Sequence, residues 1–294
     1  MSQKFRGAIP ALITPFTADN QIDADGYRRN IEFAVKNGVS AIVPCGTTGE
    51  SATLSAEEHM KVVDIAIESS KVPVIAGTGS NSTDEAIMFT KHAADAGADA
   101  ALIITPYYNK PTQNGLVAHF EKIANTVDIP IILYNVPSRT GVDMSVATIA
   151  QLAKHPNVVG IKEATGDMGK ASEIIAKTID DNFVLLSGDD IATLPLMSIG
   201  GTGVISVTAN ILPGKISEMV SLFEKGETKK AMAIHQELVP IMKTLFIETN
   251  PIPVKTAVGL LGLAAGPLRM PMTPMLPANL EILKAELKRS GVLK

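Results

Sequence analysis

The chain has 294 residues, with 26 Lys+Arg against 30 Asp+Glu, so its formal net charge is −4 and it lacks the basic excess typical of nucleic-acid-binding proteins. Its 46% hydrophobic and 19% charged residues exclude intrinsic disorder and indicate a large folded core. The single cysteine, Cys45, excludes an internal disulfide and suits a reducing compartment.

Two apolar stretches fail as membrane anchors or targeting signals. The N-terminal run 8–16 is short and interrupted by Pro10 and Pro15, which makes it a poor signal peptide. The uncharged stretch 191–214 contains several glycines and prolines that a spanning helix would not tolerate. We therefore expect a cytoplasmic protein without a membrane segment.

Short β-rich runs recur about every 28 residues, which is the length of a strand plus a crossover helix. The segments between them are amphipathic, and helix starts and ends are marked by capping and glycine signals. The eight predicted strands are 8–13, 41–44, 72–76, 100–104, 130–134, 157–161, 183–186 and 203–207. The amphipathic face is clearest at Leu116, Phe120, Ile123 and Val127, and the boundary signals are Ser55 with Glu58, Ser82 with Glu85, Gly38 and Gly97.

Apolar strands that alternate with helices predict a parallel sheet covered on both faces. Eight such units predict an α/β fold of the closed (β/α)8 TIM-barrel type, with an open doubly wound sheet as the alternative. That alternative is disfavoured because 14–19 carries no glycine fingerprint after the first strand. From about residue 213 only helical patterns remain, at 213–224, 227–247, 251–262 and 278–289. We predict a barrel domain over 1–224 and an appended C-terminal helical domain over 225–294.

Catalytic side chains in such barrels lie at the carboxyl ends of strands. Lys162 ends the run Val158–Ile161 and is the one lysine in that position among the predicted strands. Loss of hydration there lowers the pKa of a lysine, so that a neutral amine can attack a carbonyl. The alternative is a lysine that reaches solvent at the barrel rim or pairs with Glu163. Lys255 also has apolar neighbours, but its position in the helical tail favours a structural role.

Tyr134 ends the preceding strand, so its phenol is expected beside Lys162, where it could transfer protons; simple packing is the alternative. Arg139, in the following loop, carries planar donors that fit a carboxylate, although a surface role is the alternative. Tyr107 and Tyr108 lie between Pro106 and Pro111 and form a further candidate pair.

The loop 45–51 (CGTTGES) follows the second predicted strand. Its glycines allow backbone N–H groups to converge on an anion, and Thr47 and Thr48 add hydroxyls; an ordinary turn is the alternative. Cys45 is interpreted as buried packing. The five histidines lack metal-ligand spacing, Asp189 and Asp190 alone are too few for a metal site, and the glycine motifs are incomplete. We expect neither a metal nor a cofactor.

Six motifs resemble one known family. They are GTTGES (46–51), TPYYNKP (105–111), YNVPSRTG (134–141), GIKEATGD (160–167), LLSGDD (185–190) and GVISVTAN (203–210). Together they resemble the pyruvate-dependent class I aldolases and lyases, the family of dihydrodipicolinate synthases and N-acetylneuraminate lyases. The resemblance spans nearly the whole chain, and GTTGE and Arg139 are similar to the synthase branch.

The resemblance implies that Lys162 forms a Schiff base with pyruvate and that the derived enamine attacks L-aspartate 4-semialdehyde. Cyclisation would give 4-hydroxy-tetrahydrodipicolinate, on the diaminopimelate route to lysine. A sibling aldolase acting on a sugar acid is the alternative function, and a non-catalytic carboxylate sensor is a third hypothesis. Implied roles are proton transfer by Tyr134, Thr47 and Tyr108, the last from a neighbouring subunit, and substrate binding by Thr48, Arg139, Gly188 and the carbonyl of Ile205.

The resemblance further implies a homotetramer and feedback inhibition by L-lysine at a subunit interface. Glu85 could pair with the amine of the inhibitor, although it also fits the capping box with Ser82. Ala56 departs from the histidine of strongly inhibited sequences. The positions that match the inhibitor site are Ser51, Ala52, His59, Gly79, Asn81, Glu85 and Tyr107.

Overall fold

The computed structural model of the protein describes residues 4–179 and 182–293. Their contacts divide the chain into two compact units. The first unit comprises Pro73–Ile205 together with the chain up to Arg6, and the second comprises Gly7–Val72 and Ser206–Lys294. The domain boundary expected between residues 224 and 225 stays a prediction.

Seven strands form within the described residues, and each coincides with a predicted run to within a few residues. They are β1 (Gly7–Pro10), β2 (Ile75–Gly77), β3 (Ala100–Ile104), β4 (Ile131–Asn135), β5 (Val158–Glu163), β6 (Val184–Ser187) and β7 (Gly203–Ser206).

The sheet of the first unit carries its strands in chain order, β2-β3-β4-β5-β6-β7, and all neighbouring pairs are parallel. A doubly wound sheet would reverse its strand order at a switch point, so this sequential order differs from that of the doubly wound alternative, while closure of the sheet into a barrel stays a prediction. The register places Tyr134 opposite Lys162 on β4 and β5. Parallel register partners point to the same face of a sheet, which puts these two side chains next to each other.

The predicted strand 41–44 is not formed as a strand. Val43 instead makes an isolated parallel bridge with Ala11. Pro10 ends β1 because it has no N–H to continue a ladder, and the next amides go to three different acceptors. The N–H groups of Ala11, Leu12 and Ile13 donate to the Ser206 carbonyl, the Val43 carbonyl and the Asn210 side chain, respectively.

Twelve helices occur in the part of the chain described. They are α1 (Ala24–Lys36), α2 (Ala56–Ser69), α3 (Thr83–Ala96), α4 (Gln113–Thr126), α5 (Pro137–Thr140), α6 (Val146–Leu152), α7 (Met168–Thr178), α8 (Thr193–Ser198), α9 (Pro213–Glu224), α10 (Thr228–Thr244), α11 (Ile252–Leu260) and α12 (Pro277–Arg289). The last four confirm the helical pattern predicted after residue 212. None of the helices in residues 4–179 and 182–293 has both the length and the apolar character needed to span a membrane.

The two predicted capping boxes have different outcomes. Ser55 and Glu58 form both reciprocal hydrogen bonds at the start of α2. The Ser82 hydroxyl accepts the Glu85 N–H at the start of α3, but the Glu85 carboxylate accepts the Ser80 hydroxyl instead of the Ser82 N–H. The second box is therefore only half formed, because the nearby Ser80 hydroxyl competes for the carboxylate.

The core of the first unit lies between the sheet and the helices that cover it. Leu116, Phe120 and Ile123 of α4 are fully buried there against Ile103 and Ile161 of the strands, which confirms the predicted apolar face. In the second unit, α9 packs on α10, and α12 contacts both α10 and α11. The strands of the first unit are therefore held by apolar side chains along their length, and their polar side chains concentrate at their carboxyl ends.

Candidate active site

Lys162 and Tyr134 form the centre of the candidate site. They lie near the carboxyl ends of β5 and β4, and both are buried, at 6% and 7% exposure. The Lys162 Nζ lies 4.2 Å from the centroid of the Tyr134 ring. The structure therefore places the predicted amine and phenol in direct contact.

The predicted alternative for Lys162, an ion pair with Glu163, is not formed. Among the described residues Lys162 forms no ion pair, and the Glu163 carboxylate is bound elsewhere. It accepts the Asn135 amide at 2.9 Å and the Thr165 N–H at 2.8 Å, and the Lys170 Nζ lies 3.9 Å away. Asn135 and Glu163 thus tie β4 to β5 one residue beyond Tyr134 and Lys162, which holds the amine beside the ring.

Gly188 follows β6 directly and borders Lys162. A Cβ at this position would lie 3.1 Å from the Lys162 Cε and 2.6 Å from the Ala164 Cβ. A side chain at position 188 would therefore crowd Lys162 and Ala164, and the predicted place of Gly188 at a substrate pocket stays a prediction. Ile205 is buried near the end of β7, and Arg139 lies exposed on the short helix α5 directly after β4.

The loop 46–51 belongs to the second unit and forms two short 3-10 turns, Thr47–Gly49 and Ser51–Thr53. The N–H groups of Gly49 and Glu50 donate to the Gly46 and Thr47 carbonyls, so these two amides are not available to an anion. The loop therefore offers an anion fewer backbone N–H groups than predicted. The hydroxyls of Thr47 and Thr48 are the candidate donors that remain.

Buried side chains of the second unit fix this loop from several directions. The Asn250 amide donates to the Thr48 hydroxyl at 3.0 Å, and the Thr14 hydroxyl donates to the Gly49 carbonyl at 2.7 Å. The Lys255 Nζ donates to the Glu50 carboxylate at 2.5 Å, and the Arg269 N–H donates to its other oxygen at 2.9 Å. Glu50 has φ +55, a strained value for a residue with a side chain, and these bonds hold it there.

The contacts of Lys255 agree with the predicted structural role of this lysine. Its side chain is more deeply buried than the sequence indicated. It is 1% exposed, and its Nζ lies 4.0 Å from the centroid of the Phe16 ring. Burial lowers the pKa of Lys255 to about 8, while the carboxylate of Glu50 opposes the decrease. Sequence reasoning marked Lys255 by its apolar neighbours but missed Glu50 and Asn250, because no local pattern identifies a partner some 200 residues away.

Cys45 is buried, and its Sγ lies 3.5 Å from the His59 carbonyl. Burial raises the pKa of the Cys45 thiol well above its ordinary range, so the thiolate is not available as a nucleophile. This confirms that Cys45 is a packing residue. Within the described part of the chain, no three His, Cys, Asp or Glu side chains are grouped closely enough to hold a metal ion.

Tyr108 has the opposite environment to Tyr134. It is 89% exposed and has φ +73, in the loop between β3 and α4. Within its own unit it therefore packs against little, and a role for its phenol requires a second surface.

The predicted inhibitor positions are distributed over both units. Ser51 and Ala52 lie in the second 3-10 turn, and His59 is buried on α2. In the first unit, Gly79 follows β2, Glu85 lies on α3 with its carboxylate bound to the Ser80 hydroxyl, and Tyr107 follows β3. Asn81 precedes α3, and its carbonyl accepts the Asn109 amide at 2.8 Å.

Comparison with known proteins places the chain among enzymes of one family. Residues 4–290 match the model of the dihydrodipicolinate synthetase family. The chain is 63% identical to the 4-hydroxy-tetrahydrodipicolinate synthase of Methanosarcina acetivorans, over 99% of this chain and 100% of that protein. It is 61% identical to the same enzyme of Methanosarcina mazei, with the same coverage.

Solved structures agree with these relatives. The dihydrodipicolinate synthase of Aquifex aeolicus superposes with a TM-score of 0.96 at 48% identity, over 98% of this chain and 99% of that chain. The match in fold, like the match in sequence, covers nearly the whole chain. The chain therefore belongs to the dihydrodipicolinate synthetase family.

Proposed function

We propose that the chain is a 4-hydroxy-tetrahydrodipicolinate synthase that condenses pyruvate with L-aspartate 4-semialdehyde in the diaminopimelate route to lysine. The observation that carries this proposal is the buried Lys162 Nζ, 4.2 Å from the Tyr134 ring centroid at adjacent strand ends. The relatives named above favour this function over a sugar-acid aldolase. A synthase structure from Acinetobacter baumannii, 44% identical with a TM-score of 0.95 over 98% of this chain and 99% of that chain, is complexed with pyruvate.

The neutral Lys162 amine attacks the keto carbon of pyruvate, and loss of water from the carbinolamine gives the imine. Loss of a proton from the methyl carbon gives an enamine, which forms a carbon–carbon bond to the aldehyde of the semialdehyde. The amino group of that substrate then attacks the imine carbon and displaces Lys162. The product closes its ring as the lysine is regenerated, so no oxidant or reductant is consumed.

The residues of the site supply the proton transfers and the charge complementarity. Tyr134 donates and accepts protons at the carbinolamine, with Thr47 and the Tyr108 of a neighbouring subunit completing a relay. Thr48 binds the pyruvate carboxylate, and Arg139 binds the carboxylate of the semialdehyde through its planar donors. Gly188 and the Ile205 carbonyl shape the pocket around the imine.

The proposal also includes a closed barrel, a homotetramer and an inhibitor site. The sequential parallel strand order supports closure of the sheet into a (β/α)8 barrel, with the bridge at Val43 in the place of the missing strand. We further propose a cytoplasmic homotetramer that is inhibited by L-lysine at the seven positions named above. A synthase from Cyanidioschyzon merolae, 41% identical with a TM-score of 0.95 over 99% of both chains, was solved with lysine bound.

The decisive experiment is reduction with borohydride in the presence of pyruvate, followed by peptide mapping. One pyruvate-derived adduct is expected on Lys162, and none on the equally buried Lys255. The Lys162→Ala variant should lose the adduct and the turnover of pyruvate with aspartate semialdehyde. An adduct on Lys255, or no adduct on the active protein, would refute the proposed chemistry.

Arg139→Ala separates the synthase from the sugar-acid alternative. This variant should raise the KM for aspartate semialdehyde at least about tenfold, the size of one lost charge-assisted contact, and leave pyruvate binding nearly unchanged. Lys154→Ala, at an exposed position, is the matched control. Turnover of a sugar acid in preference to the semialdehyde would favour the alternative.

A further inference from the structure

The Thr48 hydroxyl is buried, and it accepts a hydrogen bond without donating one. Thr48 is 2% exposed, and its oxygen accepts the Asn250 amide at 3.0 Å. A hydroxyl carries one proton to donate, and the described residues show no hydrogen bond in which the Thr48 hydroxyl is the donor. A buried donor without an acceptor costs free energy unless something binds there.

Asn250 determines the direction of the hydrogen bond at the Thr48 hydroxyl. An amide N–H₂ group can only donate, so the Thr48 oxygen must accept, and its proton is directed away from Asn250. The loop cannot turn to relieve this arrangement, because Thr14 holds the Gly49 carbonyl and Lys255 holds the Glu50 carboxylate. Asn250 is itself buried, at 4% exposure, in the connection between α10 and α11.

We propose that Asn250 is a positioning residue that makes Thr48 a hydrogen-bond donor toward the carboxylate of pyruvate. The inference rests on the proposed function and adds to it a residue outside the six motifs of the family resemblance. Asn250 touches no reacting atom in this proposal and acts through its bond to the Thr48 hydroxyl. Its effect should therefore appear in the binding of pyruvate and not in the chemistry at Lys162.

Asn250→Asp is the sharpest variant, because it reverses the bond with almost no change of shape. A carboxylate can only accept, so the Thr48 proton turns toward Asp and its lone pairs face the substrate carboxylate. We expect the KM for pyruvate to rise at least about tenfold with kcat within about threefold of the starting value. The defect should shrink as pH falls toward about 4–5, because a protonated Asp can donate again.

Three further variants exclude a merely structural effect. Thr249→Asp places the same charge at the adjacent exposed position and should change the KM for pyruvate less than about twofold, as surface charges usually do. Thr48→Val removes the hydroxyl and should raise that KM by itself. The double variant Thr48→Val/Asn250→Asp should be no worse than Thr48→Val, because Asn250 then has no hydroxyl to orient.

The outcomes separate the inference from the proposed function. If the unsubstituted protein shows no turnover and no borohydride adduct with pyruvate, the proposed function fails. If it is active but Asn250→Asp leaves the KM for pyruvate unchanged, the inference fails and the function stands. If Asn250→Asp raises the KM equally with and without the Thr48 hydroxyl, its effect is structural and the inference is also overturned.

Discussion

Two buried lysines, Lys162 and Lys255, have different partners, and the difference bears on the roles proposed for them. Lys162 contacts a tyrosine ring and forms no ion pair in the described residues, whereas Lys255 donates to the Glu50 carboxylate at 2.5 Å. An ammonium that is matched by a buried carboxylate is committed to holding structure, because separating the pair leaves a charge without a partner. Lys162 has no such carboxylate partner in the described residues, which supports its proposed role as the nucleophile.

Removing one partner of the Lys255–Glu50 ion pair should destabilise the protein strongly, whereas replacing both partners by uncharged residues should destabilise it little. Lys255→Met leaves the Glu50 carboxylate buried without its cation and should destabilise the protein by about 3–5 kcal/mol. Lys255→Met/Glu50→Gln removes both charges and should recover most of the loss. Thermal midpoints of the two variants give the comparison.

The matched control for this pair is Lys284→Met, which breaks the exposed ion pair with Glu281 on α12. Its cost should stay below about 1 kcal/mol. A double variant as unstable as Lys255→Met would show that the loss comes from packing of the lysine chain and not from the unmatched charge.

His119 makes the stability of the fold depend on pH. Burial lowers the pKa of His119 to about 4, and the ring contacts the Thr83 hydroxyl at 2.9 Å. The unfolded chain binds a proton near pH 6.5 while the folded chain does not, so its contribution is full above pH 6.5 and is lost as pH falls toward 4. The loss should reach about 2 kcal/mol at pH 5. Thermal midpoints between pH 7.5 and 4.5 measure it.

His119→Gln removes this titration, so its midpoint should fall less between pH 7.5 and 5 than that of the unsubstituted protein. His155→Gln, at the ring that contacts Asn125 near the surface, is the control for replacing a histidine outside the buried core. Parallel slopes for the unsubstituted protein and His119→Gln would contradict the assignment.

At the scale of the elements, β5 and β6 are held so close that one glycine is obligatory. A Cβ at Gly160 would lie 2.7 Å from the Val184 carbonyl oxygen and 2.4 Å from the Val184 Cγ2. Gly160→Ala should therefore separate the two strands, destabilise the protein by about 2 kcal/mol or more and reduce kcat by displacing Lys162. Thermal midpoints and the turnover of pyruvate with aspartate semialdehyde test the two effects.

Gly259→Ala provides the contrast within α11. Its Cβ would meet the Ala265 Cβ at an ordinary 3.5 Å, and alanine favours a helix over glycine by about 0.5–1 kcal/mol. This variant should be neutral or stabilising. If both substitutions change stability equally, β5 and β6 accommodate the added methyl group at position 160 without loss of stability.

The elements that could be predicted from the sequence are those with a local cause. The apolar face of α4, the full capping box of α2 and the lysine at the end of β5 all depend on residues within one element. The strand at 41–44 could not be predicted correctly, because its pairing depends on where the amides after Pro10 find acceptors. Asn250 was missed for a similar reason: its bond to Thr48 joins residues 202 positions apart.

At the scale of the whole molecule, the proposed roles are distributed over both units of the chain. Lys162 and Tyr134 belong to the first unit, while Thr47 and Thr48 belong to the second. The family model and the relatives match almost the whole chain and not one unit alone.

The exposure of Tyr108 leads to a prediction about the assembly of subunits. Its phenol is 89% exposed, so a role in the proton relay requires that an adjoining subunit receive it. Each active site of the proposed tetramer would then combine Lys162 of one chain with the Tyr108 of another. Lys162→Ala and Tyr108→Phe chains are each expected to be inactive or weakly active alone. Co-expressed with separate affinity tags and purified as hybrids, they should regain activity, because some sites unite both original residues.

Hybrids of Lys162→Ala with Tyr134→Phe serve as the control. Lys162 and Tyr134 contact each other within one chain, so these hybrids contain no site with both residues and should stay inactive. Sedimentation of the purified hybrids establishes that mixed oligomers have formed. If those oligomers form and Lys162→Ala with Tyr108→Phe is no more active than the control, Tyr108 acts within its own chain or not at all, and the proposed exchange between subunits is wrong.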